Sequence, residues 1–302
     1  MNIAGPSSVY SWSLGAGGSP RKTFTPRTWT LIGGLSIPLW ATWPALSLQA
    51  RDLPPLECVT MAFLVGWLIL RKLEVRPPGA VNKASPSSWI AAFAFALGIS
   101  GSAVFFLMAT HYIGAAEANL ITYLWPAMIV VFGALLGIFR LRLRHVLGIA
   151  LGFFGAAVLI GVGTLKASYV GIALALLAAI SWALYCVFRL KWRGETGPLL
   201  SRGFGISLLL CGVLHFLLEH SVAPSVASAA AAVLIGIAPT AFANLAWDRG
   251  FRYGDSQLLA VAAYGTPLCS ALLLALLGLE PFTWQLLIAA MAIVGAGLLS
   301  RH

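Results

Sequence analysis

Charge is what this sequence has least of. Only 9% of its 302 residues are Asp, Glu, Lys or Arg, and only nine are acidic. A soluble domain usually carries about a quarter charged residues, so a water-solvated globular fold is excluded. Cysteine is also scarce. Cys58, Cys186, Cys211 and Cys269 each lie in an apolar run and none forms a CxxC pair, which argues against disulfides and zinc. No HExxH, GxxxxGK[ST] or GxSxG motif occurs. That argues against a metalloprotease, an ATP-driven pump and an α/β-hydrolase.

What the chain has instead is long apolar runs. Hydrophobic residues make up 60% of it. A membrane span needs roughly 20 apolar residues. Ten segments qualify: 29–50, 54–71, 89–110, 115–139, 146–165, 169–189, 199–219, 227–248, 256–278 and 282–300. No Asp, Glu, Lys or Arg falls in the middle of any of them. A proton pump or cation-coupled carrier usually keeps such a group at membrane depth. Residues 1–27 are rich in Gly, Ser and Pro and end in Arg21, Lys22 and Arg27. They read as a disordered cytoplasmic tail before a retained helix, not as a cleaved signal peptide.

The net charge of +10 sits in short loops between apolar runs. That is the pattern of cytoplasmic loops and not of a nucleic-acid face. With the N-terminus inside, 17 Lys and Arg fall on the cytoplasmic side, leaving only Arg51 and Lys166 outside. Basic bias sets orientation, so both termini are expected in the cytoplasm.

The fourth and ninth spans share a pattern. Tyr123, Pro126 and Gly137 recur as Tyr264, Pro267 and Gly278, each at an offset of 141. Trp40, Ala41 and Trp43 of the first span recur as Trp182, Ala183 and Tyr185 of the sixth, at an offset of 142. Leu147, Gly155 and Ala156 recur as Leu287, Gly295 and Ala296, at an offset of 140. A repeat of five spans is implied. Five is odd, so the second copy begins on the opposite face and the repeats are inverted. The expected fold is all-α, with ten transmembrane helices as repeats 28–165 and 166–302.

The aromatic stripe of span 1, the junctions MATHYIGAAEANLITYLWPAM and LAWDRGFRYGDSQLLAVAAYGTPL, and the ending LGLEPFTWQLLIAAMAIVGAGLL resemble the drug/metabolite transporter superfamily. Its members resemble two fused EamA repeats. The density of Trp and Tyr is most similar to the YddG-type aromatic amino-acid exporters. One departure is that Glu280 follows Gly278, whereas Phe139 and Arg140 stand in the first copy. The resemblance implies alternating access around a central cavity lined by both repeats.

Several residues are candidates for that cavity. Ser36, Trp40, Trp43 and Ser47 share one helical face, interrupted by Pro38 and Pro44. Asn119, Tyr123 and Pro126 share another, and an amide in lipid would lack partners. Trp182 and Tyr185 mirror span 1; Asn244 aligns with Thr240 and Trp247; Tyr264 mirrors Tyr123. The expected substrate site is thus Trp40, Trp43, Asn119, Tyr123, Trp182, Tyr185, Asn244 and Tyr264, with Pro126 and Pro267 as hinges. A neutral cavity of indoles and phenols suits a flat apolar side chain, and an ammonium group can lie over a ring. Export of aromatic and other neutral amino acids is the leading expectation, with other small metabolites or organic cations fitting the same surface. An integral-membrane enzyme or a pore is the competing class. No cofactor, metal, nucleic acid or obligate protein partner is expected. The expected location is a bacterial inner membrane.

Overall fold

The computed structural model describes residues 25–73, 86–137, 143–144, 146–148, 150–151, 154–155, 168–191, 199–254, 259, 262–263 and 265–299. The tail over 1–24, most of the fifth span, and Tyr264 lie outside the described residues. Every regular element among the described residues is helical. Among the described residues, six helical stretches are long and apolar enough to cross a membrane: Pro26–Gln49, Trp89–Thr110, Ala115–Leu135, Tyr169–Phe188, Leu199–Leu218 and Val226–Gly250. Large apolar side chains point outward from them, as Leu209 and Phe216 do at 70% and 82% exposure. Lipid is the solvent that accepts such a surface.

The first stretch is not one helix but three: α1 (Pro26–Gly34), α2 (Ser36–Ala41) and α3 (Trp43–Gln49). Thr25 caps α1 by accepting the Thr28 N–H at 3.2 Å, and Pro26 sits at the first turn, where no N–H is needed. Pro38 and Pro44 cannot donate to the carbonyls four residues back, and the chain tightens at Leu35 and Thr42. Ser36, Thr42 and Ser47 hydroxyls donate to the Gly33, Leu39 and Pro44 carbonyls, each at 2.7 Å. The two serines expected on a cavity wall are therefore buried and engaged with their own helix.

Next come α4 (Pro55–Leu73), α5 (Pro86–Thr110), α6 (Ala115–Thr122), α7 (Trp125–Leu135), α8 (Tyr169–Lys191) and α9 (Leu199–Leu218). The last third holds α10 (Val226–Ile235), a π-helix (Gly236–Phe242), α11 (Ala243–Tyr253), α12 (Thr266–Leu276) and α13 (Trp284–Leu299). Pro239 lies inside the π-helix. A proline removes one rung of the helix ladder, and a π-turn is one way to absorb the shift.

Two packed regions hold these elements together. The larger joins α4, α5, α8 and α9 through tilted and edge-on ring contacts: Phe63–Phe204 at 5.7 Å, Phe95–Phe204 at 5.3 Å and Phe95–Tyr185 at 4.9 Å between centroids. Helices α5 and α8 approach closely because Gly101 faces Ser181. A Cβ there would stand 2.7 Å from the Ser181 Oγ. The smaller core joins α3, α6, α12 and α13 through Ala45, Ala116, Leu120, Tyr123, Leu274, Leu286, Ala289 and Ala290.

Two carboxylates fasten one end of the bundle. Glu280, just past α12, accepts the Ala115 and Ala116 N–H groups at 2.7 and 3.0 Å. Glu219, just past α9, accepts the Leu56 and Glu57 N–H groups at 3.0 and 3.1 Å. A carboxylate at a helix start meets unpaired N–H groups and the positive end of the helix dipole. Glu57 returns the arrangement by accepting the Val222 N–H at 3.0 Å.

Candidate transport site

The backbone break expected in the fourth and ninth spans is present, and it is the same break twice. Leu124 N–H donates to the Ile121 carbonyl at 3.1 Å, and Gly265 N–H donates to Ala262 at 2.9 Å. Met128 N–H donates to Leu124 at 3.1 Å, and Cys269 N–H donates to Gly265 at 3.0 Å. Gly137 and Gly278 end α7 and α12 with φ of 70° and 65°, a left-handed stop that glycine adopts without strain. Each pair is separated by 141 residues. Pro126 leaves the Thr122 carbonyl without its usual donor, and Pro267 does the same for Ala263.

The candidate aromatic residues fall into four groups among the described ring contacts. Trp40 on α2 meets Trp247 on α11 at 5.1 Å between centroids. Trp182 and Tyr185 on α8 lie 5.3 Å apart, and Tyr185 continues to Phe95 on α5. Trp43 packs edge-on against Phe106 at 6.2 Å, with its Nε1 buried and unpartnered. Tyr123 is buried and lies 6.4 Å from Trp125. Trp40, Trp43, Trp182, Tyr185 and Trp247 are all half-buried.

The amides differ. Asn119 is 6% exposed and its Nδ2 has no hydrogen-bond partner. Asn244 donates both Nδ2 hydrogens to its own helix, to Pro239 at 3.1 Å and Thr240 at 2.8 Å. It holds the π-turn together, and only its Oδ1 remains for a ligand. His215 is also engaged, with Nδ1 2.9 Å from a Glu219 oxygen and Nε2 2.9 Å from the Ser221 hydroxyl.

The sequence profile of the EamA-like transporter family matches residues 27–161 and again 169–301. The chain belongs to the EamA-like transporter family. It is a multi-pass membrane transporter and not an enzyme. It is similar to proteins named aromatic amino acid exporter YddG. The one from Ancylobacter novellus is 32% identical, with 90% of this chain and 98% of the relative covered. The one from Escherichia coli K12 is 27% identical, over 89% and 95%. One solved crystal structure superposes with a TM-score of 0.68 at 30% identity, covering 91% of this chain and 96% of that one.

Trp247, aligned in the sequence with Asn244, pairs with Trp40 in this EamA-like transporter. Other residues stand beside these groups without having been singled out from its sequence. Phe95 extends the α8 group. Thr266 and Ser270 are fully buried on α12 with unpartnered hydroxyls. The available signal was their i, i+4 spacing beside the Tyr-x-x-Pro break.

Proposed function

We propose that this protein exports aromatic amino acids across the inner membrane of a bacterium by alternating access. The observation that carries this reading is the likeness to named aromatic amino acid exporters over nearly their whole length. The half-buried rings on α2, α8 and α11 support it, since half-buried rings can stack on a flat substrate. The chain forms ten transmembrane helices as inverted repeats 28–165 and 166–302, with both termini cytoplasmic. The match of the family profile to each half and the doubled break at an offset of 141 support this arrangement.

Trp40, Trp43, Asn119, Tyr123, Trp182, Tyr185, Asn244 and Tyr264 line the path, and Pro126 and Pro267 are its hinges. In the mechanism, the aromatic groups receive the substrate ring near mid-membrane. Bending at the two breaks, where one rung of backbone bonding is missing, moves α6 and α12 relative to α7 and the inner part of the ninth span. The site is thereby exposed to one side and then the other. The test is counterflow in proteoliposomes. A carrier accumulates labelled phenylalanine against unlabelled phenylalanine and saturates. Flux linear in concentration without counterflow would indicate a pore and refute the reading.

A further inference from the structure

Helices α6 and α12 lie antiparallel. Glu280, past the end of α12, caps the start of α6, while the Tyr123 phenol at the end of α6 faces Thr266 at the start of α12. One helical turn, about 5.4 Å, separates Tyr123 from Asn119 and Thr266 from Ser270. Asn119 therefore lies level with Ser270, as Tyr123 lies level with Thr266. Leu274, one further turn along, packs in the same core as Ala116 and Leu120, so the two faces meet.

This seam holds polar groups that should not be idle in such a place. Thr266 and Ser270 are 0% exposed and Asn119 is 6% exposed. The Thr266 Oγ1, Ser270 Oγ and Asn119 Nδ2 all lack a partner at hydrogen-bond geometry, with the Tyr123 phenol facing Thr266. Buried polar groups are nearly always paired, and an unpaired one is costly. All of these groups can donate a hydrogen bond. The 11-residue α12 also begins here, at Gly265, without a side-chain cap. The positive end of its dipole thus lies beside the same region.

We propose that this seam is the binding site for the substrate's α-carboxylate. A carboxylate needs several donors and a positive potential when it leaves water. No basic side chain stands at mid-membrane in this chain. Asn119, Thr266 and Ser270, with the α12 N-terminus, supply both requirements from neutral groups. The seam lies beside the two backbone breaks, so its opening and the hinge motion are one event. The inference rests on the amino-acid export reading, with the aromatic groups holding the ring and the seam holding the carboxylate.

The experiment is competition against labelled phenylalanine in proteoliposomes, with phenylalanine and phenylalaninamide as competitors. The amide keeps the ring and ammonium but lacks the carboxylate. Wild type should discriminate against the amide roughly 10-fold or more. In Ser270→Ala/Thr266→Val the two competitors should become nearly equal, because phenylalanine loses its advantage. Thermal unfolding without substrate controls for folding. Removing two unpaired buried hydroxyls should leave the melting temperature unchanged or raised. An amide discrimination that persists in the double variant, or one absent from wild type, overturns the carboxylate site. Absence of phenylalanine transport in wild type would instead strike the export reading itself.

Discussion

The fourth and ninth spans keep one backbone between them, while the first and sixth spans do not. Around Pro126 and Pro267, turn bonds, helix limits and left-handed glycines correspond one for one at an offset of 141. The first and sixth spans share Trp-Ala-x-aromatic, yet one is cut into α1, α2 and α3 and the other is the unbroken 23-residue α8. The difference lies in Pro38 and Pro44, which have no counterparts in α8. Two copies of a repeat can therefore share side chains on different backbones, or a backbone with different side chains. We propose that a break kept in both copies marks a shared hinge. A break in one copy alone changes only the local course of its helix.

That contrast can be broken experimentally. The largest effect is expected from Pro126→Ala/Pro267→Ala, which restores a donor at both breaks. Turnover of phenylalanine should fall roughly 10-fold or more, with binding changed by less than about 2-fold; about 1.4 kcal/mol on the moving step corresponds to 10-fold. The two single variants should act alike. Pro38→Ala, in the break that only one copy carries, should affect turnover less than either. Equal losses for all three in single-turnover assays would erase the distinction between shared and private breaks.

A smaller effect is expected at the fastened end. Glu280→Ala deletes two charge-assisted bonds to the start of α6 and should lower stability by about 1–3 kcal/mol. Glu219→Ala should do the same for α4, and both are read by denaturant or thermal unfolding in detergent. Insensitivity of either variant would mean that the cap is open in solution. Smaller again, Gly137→Ala and Gly278→Ala should each cost about 1–2 kcal/mol, because a Cβ at positive φ meets the following carbonyl. The two losses should agree if the two helix ends are one structure repeated. Topology reporters at Lys83 and Glu219 should report inside and outside, respectively. The same side for both would undo the inverted arrangement.

The breaks were legible in the sequence because proline and glycine act through the local backbone. Tyr-x-x-Pro with Gly eleven residues after Pro is a statement about φ, ψ and a missing N–H, and tertiary contacts do not rewrite it. Partners were not legible. Ser36 and Ser47 have the spacing of a cavity wall, yet each hydroxyl bonds a carbonyl three residues back. Periodicity gives a face but not the preference of a hydroxyl for its own helix. Asn244 reads as a ligand amide, but the π-turn at Pro239 brings two carbonyls within its reach. Thr266 and Ser270 drew no notice because small hydroxyl residues are common in membrane helices. Only the packing of α6 on α12 reveals that they lie buried without partners.

On the export reading proposed above, half-buried rings recognise the aromatic side chain of the exported amino acid. The most direct measurement is transport of phenylalanine and serine by Trp40→Ala and Trp182→Ala, with each variant shown to be monodisperse. Aromatic pairing contributes about 0.5–1.5 kcal/mol beyond area burial, so phenylalanine should weaken roughly 2- to 10-fold while serine changes less. Equal proportional losses for phenylalanine and serine in both variants would mean that these rings pack the helices and do not select the substrate.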